Sequence, residues 1–481
     1  MVEKEEKGIT VKKDEDFSEW YQQMIIKADL ADYTKVSGCI VFKPNSWVIW
    51  EKLVEEINKR IKKMGVKNVY FPLLIPESLL NKEKEHVEGF SPEVAWVTQT
   101  GNKKLDERLA VRPTSEAIMY DSFSKWIRSW RDLPLKYNQW SNIIRWEFKH
   151  PSPFFRTREF VFNEGHTVYA TEGEAEEEQE KIIGMYEEIM KEFMALPGLI
   201  GKKTDKEKFA GAVYSTSIEI YMSNGKTVQG PVFHNDGQNF AKAYDIKFVD
   251  EDEKEKYVWQ NTWALSTRML GVIFAVHGDD KGVVIPPRLA DNKIVIVPIF
   301  SKENKEKVMK EAEKIKEKVS EYSPILDDRS EYSPGWKFNE WELKGIPIRM
   351  EIGMKEIKNK DVVLVKRNDG KKINVKIEGV SKKILEVLEE IHKELYEKAE
   401  KSLKDNITKA EKLDELIKFI NNKKIVLVPM CKNRGCEEWI QSKTNGAKTL
   451  NRPFKQNSVV GKKCIYCGKD ADYWVYMGKT Y

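Results

Sequence analysis

The chain has 481 residues, of which 41% are hydrophobic and 33% charged, and its net charge is +5. This length exceeds one ordinary hydrophobic core, so we expect about two to four domains. No run approaches the ~20 apolar residues of a membrane span, and the first residues lack the apolar core of a signal peptide, so the sequence predicts a cytoplasmic protein.

The first part of the chain predicts a polar lead followed by a large mixed domain. Residues 1–16 are polar with mixed charge, and we expect them to be mobile. The stretch "NSWVIWEKLVEEINKRIKKMG" has the apolar spacing of a helix, which Gly65 ends. "VKNVYFPLLIP" predicts a strand interrupted at Pro72, a residue typical of sheet edges or interfaces. Strand and helix patterns then alternate irregularly, which predicts a mostly antiparallel sheet over residues 17–288.

The stretch "IIRWEFKHPSPFFRTREFVFNEGH" (143–166) predicts a hairpin bent at its two prolines. Its period of two places Arg145 and Glu147 on one face of the first strand. In the second strand it places the even positions from 156 to 166 on one face. Phenylalanines among these charges would expose aromatic area unless a ligand covered it. A bound nucleotide would account for the phenylalanines and the arginines, because its adenine would stack on a phenylalanine ring and its phosphates would bind the arginines. Neither a P-loop nor a "GxGxxG" after a strand occurs, so side chains must hold such a nucleotide.

Two shorter motifs each have two interpretations. "RPTSE" (112–116) is either a helix start capped by Thr114 or Ser115, or a grip on an ammonium group by Thr114 and Glu116. Arg268, at the start of an apolar helix, is either a surface arginine or an anion ligand. Taken singly, neither motif decides between its interpretations.

The last part of the chain predicts two further domains. From Lys293, strands alternate regularly with helical segments, one of them over 303–319, which predicts an α/β domain with a largely parallel sheet over 289–402. Residues 403–481 hold four of the five cysteines, in pairs separated by four and by two residues: Cys431, Cys436, Cys464 and Cys467. This spacing predicts a closed four-cysteine zinc site, with unligated or redox thiols as the alternative.

From Phe17 to Tyr481 these motifs together resemble the prolyl-tRNA synthetases of the archaeal and eukaryotic type, which are class II aminoacyl-tRNA synthetases. "MGVKNVYFPLLIP" is similar to the first class II motif, which forms the dimer interface, "RWE" with "FRTREF" to the second, and "STR" (266–268) to the third. "RPTSE", "NEGHT" and "GWKFNEWELKGIPIRMEIG" are narrower family signals. The resemblance implies a class II synthetase fold, namely an α+β catalytic domain, an α/β anticodon-binding domain and a small zinc-binding α+β C-terminal domain.

The resemblance also implies a reaction, partners and site residues. The enzyme would be a homodimer that activates L-proline with ATP and Mg²⁺ and transfers it to the terminal adenosine of tRNA(Pro). The implied catalytic residues are Arg145, Arg156 and Arg268. The implied ATP-binding residues are Arg145, Glu147, Arg156, Thr157, Phe160, Gln229, Ser266 and Arg268. The implied proline-binding residues are Thr114, Glu116, Arg145, Phe162, Glu164, His166, Phe209, His234 and Ser266. Glu342, Arg349 and Lys371 would contact the anticodon, and Tyr481 would fold back near the active site.

Three positions depart from the family pattern and bear on selectivity. Many members have threonine at Val232, tryptophan at Phe162 and glycine at Ala264, so this pocket is expected to differ in shape. One methylene is worth only ~1–3 kcal/mol in such a pocket, so we expect misactivation of alanine or cysteine. The span from His166 to Gln229 is too short for an editing insertion domain.

Two rival functions stay open from the sequence. One is a class II synthetase for another amino acid, such as threonine. The other is a non-catalytic tRNA-binding relative, against which the complete set of arginines argues, since RNA binding alone needs no triphosphate site.

Overall fold

The computed structural model describes residues 8–86, 93–147 and 150–481, except for the side chains of residues 82–86. In the first part, the strands are β1 Ala31–Tyr33, β2 Ile40–Phe42, β3 Lys67–Asn68, β4 Leu74–Pro76, β5 Trp96–Thr100, β6 Lys103–Val111, β7 Leu135–Ile144, β8 Glu159–Tyr169, β9 Leu199–Lys202, β10 Tyr214–Tyr221, β11 Lys226–Gly237, β12 Lys247–Val249, β13 Glu255–Tyr257 and β14 Trp259–Ser266. The helices are α1 Phe17–Lys27, α2 Pro44–Lys63, α3 Glu77–His86, α4 Glu116–Trp126, α5 Glu172–Glu192, α6 Asn239–Tyr244 and α7 Arg268–His277.

The central sheet of this part is antiparallel, as predicted. Strand β8 pairs with β7 on one side and β14 on the other, and β11 follows, flanked by β14 and β10. Only the short β3 joins β7 in parallel, next to the predicted break at Pro72. The odd residues of β8 face the helices, since Asn163 donates to the Tyr186 hydroxyl (3.1 Å) and Thr167 donates to Glu178 (2.5 Å), both of α5. The even residues therefore face the other side of the sheet.

Helix α2 confirms the helix predicted from residues 45–65. Trp50, Leu53, Ile57 and Ile61 are buried in the core that α2 shares with α5 and α7. The apolar stripe of the sequence is thus the face that covers the sheet.

The predicted hairpin is shorter than its sequence pattern. The main chain of Arg145 still donates to Arg158 (2.8 Å), but Trp146 donates to Glu93 and Arg158 donates to Gly38. Because the two segments find separate partners, β7 ends at Ile144 and β8 begins at Glu159. The shared face therefore runs from Phe160 to His166, without Arg156 and Glu147. Phe148, an apolar position of the predicted first strand, lies outside the described residues.

The prediction of a mobile lead is wrong for its described part, residues 8–16. Lys13 donates from its ammonium group to the carbonyls of Val276 and Gly278, at 3.3 and 2.8 Å, and its main-chain N–H donates to Asp280. A cation at the C-terminus of α7 is favoured by the helix dipole, and this anchors the segment. Residues 1–7 lie outside the described residues.

The second part of the chain contains β15 Ile294–Ile299, α8 Lys305–Lys318, β16 Ile325–Leu326, α9 Pro334–Lys344, β17 Ile348–Gly353, α10 Met354–Asn359, β18 Asp361–Lys366, β19 Lys372–Lys376 and α11 Val380–Asp405. The predicted α/β organisation is confirmed, but the largely parallel sheet is wrong in half of its pairings. β15 pairs in parallel with β16 and β17, whereas β17–β18 and β18–β19 are antiparallel. Parallel neighbours need a long crossover connection. The short α10 between β17 and β18, and the tight turn between β18 and β19, are too short to provide one.

The last part contains β20 Ile407–Lys409, α12 Leu413–Asn421, β21 Ile425–Met430, α13 Arg434–Lys443, β22 Lys448–Thr449, β23 Arg452–Pro453 and β24 Tyr473–Thr480. Strand β24 pairs antiparallel with β21 and then runs parallel to β11 at Lys479 and Thr480. This pairing joins the last strand of the chain to the edge of the central sheet. Within the described ranges, no helix combines the length and apolarity needed to cross a membrane.

Candidate functional site

A cavity of about 250 Å³ lies over the face of the central sheet formed by the even residues of β8. β8, β14, β11 and β10 supply its floor, and the residues before α4 and between β9 and β10 supply its walls. It brings together most of the predicted site residues: Thr114, Glu116, Arg145, Phe160, Phe162, Glu164, His166, Phe209, Gln229, His234, Ser266 and Arg268. The departures Val232 and Ala264 also line it.

Arginines concentrate at the end of the cavity where β8 begins. Arg145 donates from Nε to the Pro113 carbonyl (3.1 Å), and Arg268 donates from Nε to the Phe155 carbonyl (3.1 Å). Burial lowers the pKa of Arg268 to about 10, and the charges of Arg145 and Arg156 add to this effect. Because Arg268 is also the first residue of α7, the helix dipole adds positive potential. This end of the cavity suits a polyanion.

Two buried carboxyl groups lie at the other end, further along β8. Glu164 accepts from the Ser115 N–H (3.1 Å) and from the Ser115 hydroxyl, and Thr114 donates its hydroxyl to Glu116. Burial raises the pKa of Glu164 to about 7, and the charge of Glu116 contributes. Ser115 occupies the cap position of α4, yet its side chain makes no cap hydrogen bond. "RPTSE" is thus both a helix start and a binding-site wall.

Both predicted histidines are neutral near pH 7, and His166 is buried whereas His234 is half-buried. His166 Nδ1 lies 3.3 Å from the Tyr120 hydroxyl, and burial lowers its pKa. His234 stacks on Phe209 with ring centroids 4.7 Å apart. Burial, with the Lys203 charge, lowers the pKa of His234 to about 3. Neither imidazole therefore adds a charge to the cavity.

Sequence reasoning missed the contribution of β10 and the segment before it. Lys203 donates to Glu219 (2.6 Å) in a buried ion pair, and Ser217 donates to the same carboxylate oxygen. Lys203, Glu207, Ser215, Thr216 and Ser217 line the cavity. The sequence "YSTSIEIY" alternates polar and apolar residues and has one glutamate among hydroxyl side chains. This pattern could have indicated a strand that faces a polar site.

Some predicted nucleotide residues do not line the cavity. Glu147 is exposed in a turn, and Thr157 is buried in the loop before β8. Arg156 is half-buried, and its charge acts on Arg268 and on Tyr481. Tyr481 stacks on Phe155 with centroids 4.7 Å apart, so the terminal tyrosine does fold back beside this site.

The four C-terminal cysteines converge. Their sulfur atoms all lie within 4.8 Å of one another, with Cys431 Sγ 3.6 Å from Cys436 Sγ and 3.8 Å from Cys467 Sγ. Zinc–sulfur bonds of ~2.3 Å in a tetrahedron require such separations, so these thiols fit Zn²⁺. Cys464 and Cys436 are each only 2% exposed, as a structural site requires.

The predicted anticodon residues lie in the second part of the chain. Arg349 donates to Glu342 (2.8 Å) and to Glu351 (3.0 and 3.1 Å), and its guanidinium stacks on Phe338. Lys371 is exposed in the turn between β18 and β19. Arg349 and Glu342 are thus already paired, so an RNA base would share their hydrogen bonds.

The fold and the site define a class II aminoacyl-tRNA synthetase. Residues 96–277 match the family described as "tRNA synthetase class II core domain (G, H, P, S and T)", and residues 293–387 match "Anticodon binding domain". Residues 413–481 match "Prolyl-tRNA synthetase, C-terminal". The chain belongs to the proline–tRNA ligases, because members of that family are 43–46% identical to it over nearly its full length.

Curated relatives of this family match over nearly the full length. The chain is 45% identical over 471 residues to a proline–tRNA ligase of Natranaerobius thermophilus, covering 97% of each chain. It is 43% identical to the cytoplasmic proline–tRNA ligase of Arabidopsis thaliana, covering 98% of this chain and 91% of the relative. It is 46% identical to a proline–tRNA ligase of Lachnoclostridium phytofermentans, covering 97% of each chain.

Proposed function

We propose that the chain activates L-proline with ATP and transfers it to the 3′-terminal adenosine of tRNA(Pro). One observation carries this proposal: a single cavity has arginines at one end and buried carboxyl groups at the other. The ammonium group of an amino acid would bind the carboxyl groups and its carboxylate would face the arginines. The arginines would also bind the phosphates of ATP. The family membership of the chain supports the choice of proline.

The side chains take roles that follow from their positions. Arg145 lies at the arginine end, but its charge also acts on Glu164, so it would bridge the proline carboxylate and the α-phosphate. Arg268, and Arg156 from beside the cavity, would hold the outer phosphates. Phe160 offers a ring for adenine beside Arg145, whose guanidinium carbon lies 5.7 Å from that ring's centre. Glu116 and Glu164 would accept hydrogen bonds from the proline ammonium group, and Phe162 and Phe209 would pack on its ring.

The chemistry needs no general base in the first step. The proline carboxylate attacks the α-phosphorus, pyrophosphate leaves, and no proton has to be removed. Positioning and stabilisation of negative charge by arginines are then sufficient. In the second step the terminal ribose hydroxyl attacks the adenylate carbonyl, the bond to the AMP phosphate breaks, and the hydroxyl proton passes to the departing phosphate as the ester forms.

Class II synthetases use Mg²⁺ with ATP. Glu219, whose Oε1 accepts from Lys203 and Ser217, would offer such an ion its other carboxylate oxygen. Glu219 lies close enough to Arg268 to act on its pKa, and a carboxylate with phosphate oxygens is a ligand set that Mg²⁺ favours. When bound there, the ion would neutralise phosphate charge.

The proposal also covers the zinc site, the oligomeric state, the location and the domain limits. The four cysteines would hold a structural zinc ion with no catalytic part, since four thiolates leave no position for water. Tyr70 (72% exposed), Leu73 and Leu74 are exposed within the predicted dimer motif, and exposed Trp126 lies beside Phe71 of the same motif, with ring centroids 5.8 Å apart. Covering these side chains would favour a homodimer. We propose a cytoplasmic location and domain limits of 17–288, 289–402 and 403–481, which contain the three matched ranges.

The proposed function is tested by pyrophosphate exchange into ATP without tRNA, measured across all amino acids. Exchange with proline is expected to dominate. Alanine and cysteine are expected to follow within about 10–200-fold, because the pocket distinguishes them mainly by size and shape. Preferred exchange with threonine would favour the first rival function. Exchange with no amino acid, even after tRNA is added, would favour a non-catalytic relative.

Proline binding is expected to release a proton at pH 6. The pKa of Glu164 is about 7 in the free protein, and a bound ammonium group lowers it, so binding ionises this carboxyl. Proline affinity should therefore rise with pH up to about 7 and then level off. Titration calorimetry in two buffers of different ionisation enthalpy measures the release.

The matched control for this prediction is Glu178→Gln. Glu178 is another buried glutamate with a raised pKa, but it bonds Thr167 and Asn261 outside the cavity. Glu164→Gln should abolish the proton release and Glu178→Gln should not. Release that persists in Glu164→Gln would remove Glu164 from the ammonium site.

Arg349→Lys is expected to lower kcat/KM for tRNA charging by about tenfold or more, because lysine keeps the charge but loses the fork that binds guanine, worth ~1–3 kcal/mol. Proline-dependent exchange without tRNA should not change. Arg288→Lys, which alters an exposed pair with Glu389, is the control. An unchanged preference for anticodon guanines in Arg349→Lys would mean that Arg349 only bridges Glu342 and Glu351.

A further inference from the structure

The segment that surrounds the four cysteines carries far more positive charge than the rest of the chain. Residues 431–470 contain nine lysines or arginines and three acidic residues, a net charge of +6, whereas the whole chain carries +5. The remaining 441 residues are therefore close to neutral. Glu437 is also buried, bonded to Thr204 and Thr449, so it does not offset the surface charge.

A pair of stacked aromatic rings lies within this basic segment. Trp439 of α13 and the exposed Tyr466, which lies between two of the cysteines, stack with centroids 4.1 Å apart and an interplanar angle of 25°. Lys443, one turn after Trp439, places its ammonium group 5.3 Å from the Trp439 ring centre. We call Trp439, Tyr466 and Lys443 the aromatic platform.

Exposed lysines flank the platform, because they are neighbours in sequence of cysteines that converge beside it. Lys432 follows Cys431, and Lys469 lies two residues after Cys467, and both are exposed. Neither of them, nor Lys443, makes an ion pair with any residue of the described ranges. Unpaired cations beside stacked rings are what single-stranded or terminal RNA requires, since phosphates take the cations and bases stack on the rings.

The platform belongs to a helix that contacts the rim of the candidate active site. Arg434 donates to the Asp205 carbonyl (3.2 Å), and Lys206 donates to Gln441 (2.9 Å). Asp205 and Lys206 lie between Lys203 and Glu207, both of which line the cavity. RNA held at α13 would therefore lie beside the rim of the candidate active site, which the 3′ end of the tRNA has to reach, and in a different part of the chain from Glu342, Arg349 and Lys371.

We propose that the aromatic platform and its flanking lysines bind the acceptor arm of the tRNA. This inference rests on the proposed function, which supplies the RNA, and assigns a second contact beyond the anticodon. It gives the C-terminal domain a direct part in substrate binding, in addition to holding zinc.

The test uses the double variant Trp439→Leu/Lys443→Gln in the full chain, with Lys443→Gln alone as the milder form. Binding of an acceptor minihelix ending in CCA is expected to weaken about tenfold or more, and its dependence on salt concentration should become shallower. Binding of an anticodon stem-loop should stay unchanged. The matched control is Trp130→Leu/Arg131→Gln, a tryptophan with a stacked cation (4.6 Å) far along the chain from the cysteines.

Zinc content and proline-dependent pyrophosphate exchange are measured on every variant. Both should equal those of the parent protein, which establishes that the variants fold. Unchanged minihelix binding in a variant with normal zinc and exchange would overturn the proposal, as would an equal loss for the control. Failure of the proposed function is a different result, namely no proline exchange in the unaltered protein.

Discussion

Replacing Arg145 with alanine is expected to reduce proline-dependent pyrophosphate exchange by about 10²–10³-fold, equivalent to ~3–4 kcal/mol of lost transition-state stabilisation. Arg145 lines the arginine end of the cavity, its charge also acts on Glu164, and its Nε donates to the Pro113 carbonyl. Its terminal nitrogens are thus oriented before ATP binds. They meet the charge that develops at the α-phosphate, so kcat should fall more than the affinity for proline.

The control for Arg145→Ala is Arg128→Ala, which removes an exposed arginine that does not line the cavity. Exchange by Arg128→Ala should equal that of the parent protein. A loss confined to KM in Arg145→Ala, with kcat unchanged, would mean that Arg145 binds substrate and transition state equally. That result would remove it from the catalytic residues.

Cys436→Ser is expected to abolish zinc binding and to destabilise the C-terminal domain by several kcal/mol. Structural zinc sites supply on the order of 10 kcal/mol of binding free energy, which is also folding free energy. Cys436 is buried beside the other three thiols, so its loss leaves the metal site incomplete. Metal analysis measures zinc per chain, and thermal unfolding measures the stability.

The effect should extend to the candidate active site. Strand β24 pairs with β21 of the cysteine-bearing part and with β11 of the central sheet, and Tyr481 stacks on Phe155 at its end. Disorder of this part should therefore reduce proline exchange as well. Cys39→Ser, which changes the cysteine outside the cluster, should leave zinc, stability and exchange unchanged. Normal zinc content in Cys436→Ser would contradict the four-cysteine site.

The sequence predicted the elements whose patterns are local. Helix α2 follows from its apolar spacing, and the even face of β8 follows from alternation, so Phe160, Phe162, Glu164 and His166 were placed correctly. The cysteine cluster was predictable because metal ligation demands a spacing. In the helix and the strand, residues near one another in the chain determine the structure, and in the cysteine cluster two such local pairs are joined by convergence of the four sulfur atoms.

The features that the sequence did not predict depend on distant partners. The strand pattern after Ile144 ended early because Trp146 and Arg158 bond elsewhere in the chain. The antiparallel half of the second sheet depended on the length of a connection. Lys203 and Glu219 join the site through an ion pair formed across neighbouring strands, which no local motif marks.

The most direct test of the central claim is ATP-dependent attachment of labelled proline to a tRNA(Pro) transcript. The claim predicts stable labelling of the RNA at a level near one proline per tRNA, and its complete loss when the terminal ribose has been oxidised with periodate. Labelling that survives oxidation, or efficient attachment of a different amino acid in place of proline, would contradict it.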